Sequence, residues 1–227
     1  MGDRPGPRRT VRWMRAAAAI VVAGVISTGC SGGGDGSPHI AVVGDSITGL
    51  DHGEISSVLD PPYSVDFYYQ NGMRIDQMLP RLRDGLDARG PGVAVIVNLG
   101  TNDALQGGRN VDPQRSWDQL LTITKDVPCV VLTTVNSISD AYARGKVASA
   151  LNERMMALAT ADSGKYKVVD WNRFLISLDD RQRATYLQAD LIHETPDGAW
   201  WIADAYRSAL DACGTSAQPV PPQEPGS

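Results

Sequence analysis

A chain of 227 residues with 42% apolar and 21% charged side chains has the make-up of one ordinary globular domain with a sizeable core. Its net charge is −5, and because residues 1–29 hold five Arg and one Asp, the remainder carries −9. An acidic body without a basic run excludes the electrostatic footprint of a nucleic-acid or anionic-lipid binder.

The N-terminal segment differs from the rest. Arg4, Arg8, Arg9, Arg12 and Arg15 precede the apolar run Ala16–Ile26, which closes in Ser27-Thr28-Gly29-Cys30. A basic head, a short apolar stretch and small residues make residues 1–29 an export signal, too short to span a bilayer. Gly29-Cys30 resembles the bacterial lipoprotein signal, whose cysteine is diacylated and becomes the new N-terminus. Ser27 stands at position −3, where that motif prefers an aliphatic residue, and Arg8-Arg9 fits a twin-arginine route. The expected location is the cell envelope, on the outer face of the cytoplasmic membrane if Cys30 is lipidated and secreted otherwise. Contact with the membrane is then made only by the anchor. Residues 30–38 read as a Gly/Ser-rich tether, and residues 214–227, with Pro219, Pro221, Pro222 and Pro225, as a disordered tail. The folded domain is expected over 39–213.

Within it, Ile40-Ala41-Val42-Val43 predicts a short buried strand running into Gly44-Asp45-Ser46-Ile47-Thr48, a sharp turn that places Ser46 at a helix start if a helix follows. A poorly patterned stretch comes next. Val65, Phe67 and Tyr69 then alternate as in a strand, and Asn71-Gly72 marks a turn. Ile75, Met78, Leu79, Leu82 and Leu86 lie on one helix face, with Pro80 as a kink point. Gly92–Leu99 is a Val-rich run covered on both faces, ending in Gly100-Thr101-Asn102-Asp103. A helix over Asp112–Val127, a strand over Cys129–Val135, a helix through Val147, Leu151, Met155 and Leu158, a strand at Tyr166–Val169 and a last helix from about Pro196 follow. Alternating strands and helices predict an α/β fold, a three-layer α/β/α sandwich around a parallel sheet of about five strands. Ligands bind beyond the carboxyl ends of such strands, the rim to which Ser46, Gly72, Asn102 and the segment after Trp171 are delivered.

Cys129 opens a strand and Cys213 closes the last helix, both at the edge opposite that rim. A Cys129–Cys213 disulfide is therefore geometrically open to the chain, and two buried small apolar side chains are the alternative. His39 and His52 lack the partners of a metal site, and no nucleophile elbow, Walker loop or dinucleotide fingerprint is present. Only His193 has an Asp three residues earlier, in Asp190-Leu191-Ile192-His193, a spacing that lets one segment supply a base and the acid that orients it.

Gly44-Asp45-Ser46, Gly72, Gly100-Thr101-Asn102-Asp103 and Asp190-x-x-His193 occur in that order. The set resembles the SGNH hydrolase superfamily, also called GDSL-type esterases and lipases, over essentially the whole of 39–213; Ile47 replaces the Leu of the eponymous motif. The resemblance implies a flavodoxin-like fold and a serine esterase without cofactor or metal, acting on a small-molecule, glycan or lipid ester. It assigns Ser46 as nucleophile, His193 as base and Asp190 as its orienting acid. The oxyanion hole would comprise the Ser46 and Gly72 N–H groups and the Asn102 amide. Asp45, Asp103 and Asp170 read as structural. Trp171, just past a strand end, is a candidate for the substrate pocket, while Trp200 and Trp201 read as core. Two alternatives remain: an O-acyltransferase using the same site, and a non-catalytic envelope binding lipoprotein. Acetylated cell-wall glycans, lipid esters and thioesters all fit as substrates.

Overall fold

The computed structural model describes residues 37–90, 92–106, 112–138 and 145–214. The leader, Cys30, most of the tether and the tail beyond Gly214 lie outside the described residues. No helix among the described residues is long and apolar enough to cross a membrane.

The first apolar run forms β1 (His39–Gly44) and leads directly into α1 (Ser46–Leu59). Then follow β2 (Ser64–Tyr69), α2 (Ile75–Arg89), β3 (Ala94–Asn98), α3 (Thr101–Gln106) and α4 (Pro113–Ile123). The chain continues through β4 (Cys129–Thr133), α5 (Gly145–Ala161), β5 (Tyr166–Val169), α6 (Trp171–Ile176), α7 (Asp180–Tyr186) and α8 (Pro196–Ala212). All five strands are parallel and ordered β2-β1-β3-β4-β5. β1 pairs on one side with β2, Ile40 beside Val65, and on the other with β3, Ile40 beside Ala94. The connection leaving β1 goes one way and the connection returning to β3 the other, so β1 ends at the switch point where open α/β sheets bind ligands.

Alternating side chains split the core in two. Ala41, Val43, Val95, Val97, Val130 and Leu132 face one layer with Met78, Leu82, Trp117 and Leu151 from α2, α4 and α5. Ile40, Val42, Ala94, Ile96 and Val131 face the other with Ile55, Leu59, Ile202 and Tyr206 from α1 and α8. The central strands are buried on both sides, which is why they read as unbroken Val-rich runs.

Three expectations need correcting. The stretch after Thr48 is a regular helix whose stripe Ile47, Asp51, Ile55, Leu59 is buried at intervals of four; Asp51 in that stripe breaks the apolar pattern. Trp171 is only 2% exposed, stacked on Phe174 and packed at a tilt against Trp201 in the second core, so it forms no open pocket wall. Trp200 is 45% exposed rather than core, because α8 buries the row Ala199, Ile202, Ala203, Tyr206 and Trp200 points away from it. In addition, α2 runs on through Pro80.

Cys129 and Cys213 are disulfide-bonded, their Cα atoms 6.1 Å apart across 84 residues. The bridge ties the first residue of β4 to the C-cap of α8. By loop entropy it contributes about 4 kcal/mol. Replacing both cysteines by serine should lower Tm by about 10 °C, read by calorimetry; a shift within about 2 °C would assign the bridge no structural role.

Candidate active site

Three elements deliver the site. β1 ends at Gly44, where a Cβ would overlap the Thr48 side chain, so only glycine lets the strand turn into α1 there. Asp45 follows as N-cap, its Oδ1 accepting the Ile47 N–H at 3.0 Å, and Ser46 becomes the first residue of the helix. Ser46 is thereby partly buried at a helix start on the sheet's carboxyl rim.

From 147 residues further along, His193 reaches it. Ser46 Oγ lies 3.0 Å from His193 Nε2, and His193 Nδ1 lies 2.7 Å from Asp190 Oδ2. A carboxylate only accepts, so the proton sits on Nδ1 and Nε2 accepts from the Ser46 hydroxyl. Asp190 Oδ1 also accepts the N–H groups of Ile192 (2.9 Å) and His193 (3.1 Å). Partial burial pushes the Asp190 carboxyl up, but these hydrogen bonds outweigh it and hold the group below its ordinary value.

α3 carries the second set. Asn102 Nδ2 donates to Asp45 Oδ2 at 2.9 Å, tying the third motif to the first in a buried contact. Asp103 Oδ2 accepts the Ile75 N–H at 3.0 Å, and Gln106 Nε2 donates to the Gly72 carbonyl at 3.0 Å. Arg74 donates to Gln106 Oε1 at 2.7 Å and to Asp76. The Gly72 turn is thus held from α3 at three points. Gly72 has φ +74, and a Cβ there would meet nothing within 4 Å. Its glycine suits the left-handed backbone of the turn. Asp170 caps α6 and accepts from Thr134 Oγ1, a structural role.

Sequence reasoning missed the acidic layer beneath Ser46. Burial pushes Asp45 up to about 6 against the hydrogen bonds from Ile47 and Asn102. Burial likewise lifts Asp103 to about 6, with the Ile75 N–H pulling it down. Asp51 rises to about 8, first through burial and then through the charges of Glu54 and Asp45. Glu194, next to His193 and 3% exposed, rises well above its ordinary value through burial and the charge of Asp51. Neither oxygen of Glu194, nor Oδ2 of Asp51, has a hydrogen-bond partner among the described residues. The signal for Asp51 was there, a carboxylate inside the 47-51-55-59 stripe; Glu194 leaves none. Among the described residues no three His, Cys, Asp or Glu side chains are grouped to hold a metal ion.

The acidic layer sets a pH dependence. A carboxyl whose folded pKa lies above its unfolded value keeps its proton in the native state after the unfolded chain has lost it, so stability falls as pH rises between the two values. For Asp51 that window runs from 3.8 to about 8. Asp51→Asn should therefore raise Tm by several degrees at pH 8 and by little at pH 5. Equal gains at both pH values would remove the buried charge as the cause.

No family model and no curated relative matches the chain. Solved structures do. The C-terminal catalytic domain of Streptococcus pneumoniae peptidoglycan O-acetyltransferase A superposes with a TM-score of 0.61 at 16% identity, over 80% of this chain and 97% of that one. A lipase/acylhydrolase from Enterococcus faecalis gives 0.63 at 18%, over 76% and 95%. A member of the lipolytic G-D-S-L family from Veillonella parvula gives 0.60 at 22%, over 76% and 98%. The chain has the fold of the SGNH, or GDSL-type, acylhydrolases and esterases.

Proposed function

We propose that this chain is a serine esterase of the SGNH type that cleaves acyl or acetyl esters through an acyl-enzyme on Ser46. The observation that carries the reading is the unbroken hydrogen-bonded series Ser46 Oγ, His193 Nε2, His193 Nδ1, Asp190 Oδ2 at 3.0 and 2.7 Å. A binding module has no use for a hydroxyl aligned with a base and an orienting carboxylate.

In the reaction, Ser46 Oγ attacks the ester carbonyl while its proton passes to His193 Nε2. Asp190 stabilises the imidazolium through Nδ1–H. The oxyanion is met by the Ser46 and Gly72 N–H groups and by the Asn102 amide, which Asp45 holds in place beforehand. The tetrahedral intermediate collapses, the C–O bond to the alcohol breaks, and His193 returns the proton to the leaving oxygen. Water, deprotonated by the same nitrogen, then releases the acid and regenerates Ser46. The leader reading extends the proposal to an exported enzyme anchored through Cys30, facing ester-bearing envelope glycans or lipids.

A second reading has one observation in its favour, the similarity to a peptidoglycan O-acetyltransferase catalytic domain. There a sugar hydroxyl would take the place of water, with the same residues in the same roles.

A short-to-long series of chromogenic acyl esters on wild type and Ser46→Ala tests the main reading. Turnover abolished by the substitution, and fluorophosphonate labelling confined to Ser46, is the expected result. If neither protein turns over any ester or acylated sugar and the probe leaves Ser46 unlabelled, the hydrolase reading is lost. Adding a glycan acceptor and assaying acylated sugar against free acid separates transfer from hydrolysis. Asn102→Ala should lower kcat by about 10²–10³-fold with the fold retained; an unchanged kcat would take it out of the oxyanion hole.

A further inference from the structure

The turn that bears Asp190 and His193 is largely exposed, although Ile192 packs against the first core. Leu191 is 38% exposed, and Gln188, Ala189 and Asp190 are exposed as well. Leu191 is also the one non-glycine residue with positive φ among the described residues, at +56. The left-handed turn is needed because Asp190 Oδ1 must receive both the Ile192 and His193 N–H groups while Oδ2 receives the ring. A branched side chain resists that conformation. Something outside the loop must over-determine it.

From the rim of the sheet, one side chain does so. Asn136, just beyond β4, is 4% exposed, and its Nδ2 donates to the Leu191 carbonyl at 2.9 Å. Its Oδ1 accepts the Ile138 N–H at 2.9 Å, which fixes the orientation of the amide. The residues on either side are clamped in turn. Asn152 of α5 takes both the N–H (2.7 Å) and the carbonyl (2.8 Å) of Val135. Asn172 of α6 accepts from Ser137 N–H and Oγ–H at 2.8 and 2.9 Å. Asn136 is thus seated on a rigid platform and holds an exposed turn at its strained residue.

We propose that Asn136 is a positioning residue for the Asp190–His193 pair, acting by locking Leu191 in the left-handed conformation that aims the imidazole at Ser46. The inference rests on the assignment of Ser46, His193 and Asp190 as the catalytic groups. Asn136 touches no reacting atom; it restricts the loop to the one geometry in which both His193 nitrogens are engaged.

The role of strain gives a specific test. Asn136→Ala should lower kcat about 10- to 100-fold with KM changed less than about twofold, since small misplacements of a base are costly. Glycine adopts φ > 0 freely, so adding Leu191→Gly to Asn136→Ala should recover most of the lost kcat. A residue with a merely structural role would not be rescued this way. Asn136→Asp keeps the shape and the acceptor for Ile138 but turns a carboxylate towards the Leu191 carbonyl, so it should lose at least as much kcat, and it carries the test if the alanine variant fails to fold. Independently of turnover, the far-downfield proton resonance of His193 Nδ1–H bonded to Asp190 should be present in wild type and broadened away in both Asn136 variants. Loss of kcat and of the resonance, restored by Leu191→Gly, supports the assignment. An unchanged kcat or resonance, or a double variant no better than Asn136→Ala, overturns it. Should wild type lack esterase activity, the resonance still tests Asn136, and the failure then belongs to the functional reading.

Discussion

The contact on which the site depends is the one between Asp45 and Asn102. A single buried carboxyl receives the Ile47 N–H with one oxygen and the Asn102 amide with the other. The first bond turns β1 into α1 and brings Ser46 to the start of that helix. The second fixes the side chain on α3 that stands beside it. Asp45 and Asn102 stand 57 residues apart in the chain, and this one carboxyl sets the turn before Ser46 and the orientation of the Asn102 amide together. In the proposed reaction, donors fixed beforehand are worth more than donors that must reorient.

That arrangement has an electrostatic consequence. Asp45, Asp51, Asp103 and Glu194 are all buried near one another around the end of β1, Asp45 receiving the Ile47 N–H and Asp103 the Ile75 N–H. Burial favours the neutral form of each, and mutual repulsion adds to it for Asp51 and Glu194. Asp190 behaves in the opposite way. It stands at the surface, gathers three hydrogen bonds and stays ionised. Carboxyls of the same chemistry are therefore separated by environment into buried groups below the site, held above their ordinary values, and one surface group beside the histidine, held below its own.

The two halves of the site are held by different means. Ser46 and Asn102 grow directly from sheet ends whose strands are buried on both faces, so packing fixes them. The histidine arrives on a largely exposed turn that follows α7, where hydrogen bonds add to the packing of Ile192. These are the Leu187–Glu194 bridge, the Gln188 N–H to the His193 carbonyl, and the Asn136 amide to Leu191. Far below, the Cys129–Cys213 bridge joins β4 to the end of α8, the helix that follows the histidine turn.

Much of this was legible in the chain itself, for local reasons. Val-rich runs become central strands because a two-sided cover leaves no place for polar residues. Gly44-Asp45-Ser46 announces a turn because glycine alone fits beside Thr48, and Asp190-x-x-His193 announces a paired carboxylate and imidazole because three residues of separation suffice to fold one onto the other. What stayed hidden depends on contacts between distant segments. Asp51 disguised α1 by occupying its buried stripe. Trp171 and Trp200 departed from their expected environments: Trp171 turns inward from α6 against Phe174 and Trp201, and Trp200 lies off the α8 row Ala199, Ile202, Ala203, Tyr206 that is buried. Asn136, Asn152 and Asn172 are ordinary loop and helix residues until the sheet's carboxyl rim gathers them. Residue order was enough to set the succession of the motifs and the residue types that meet at the rim. Which carboxyls lose water and hold protons, and which amide reaches across to the histidine turn, followed from the folded arrangement alone, because desolvation and hydrogen-bond geometry are properties of neighbours in space.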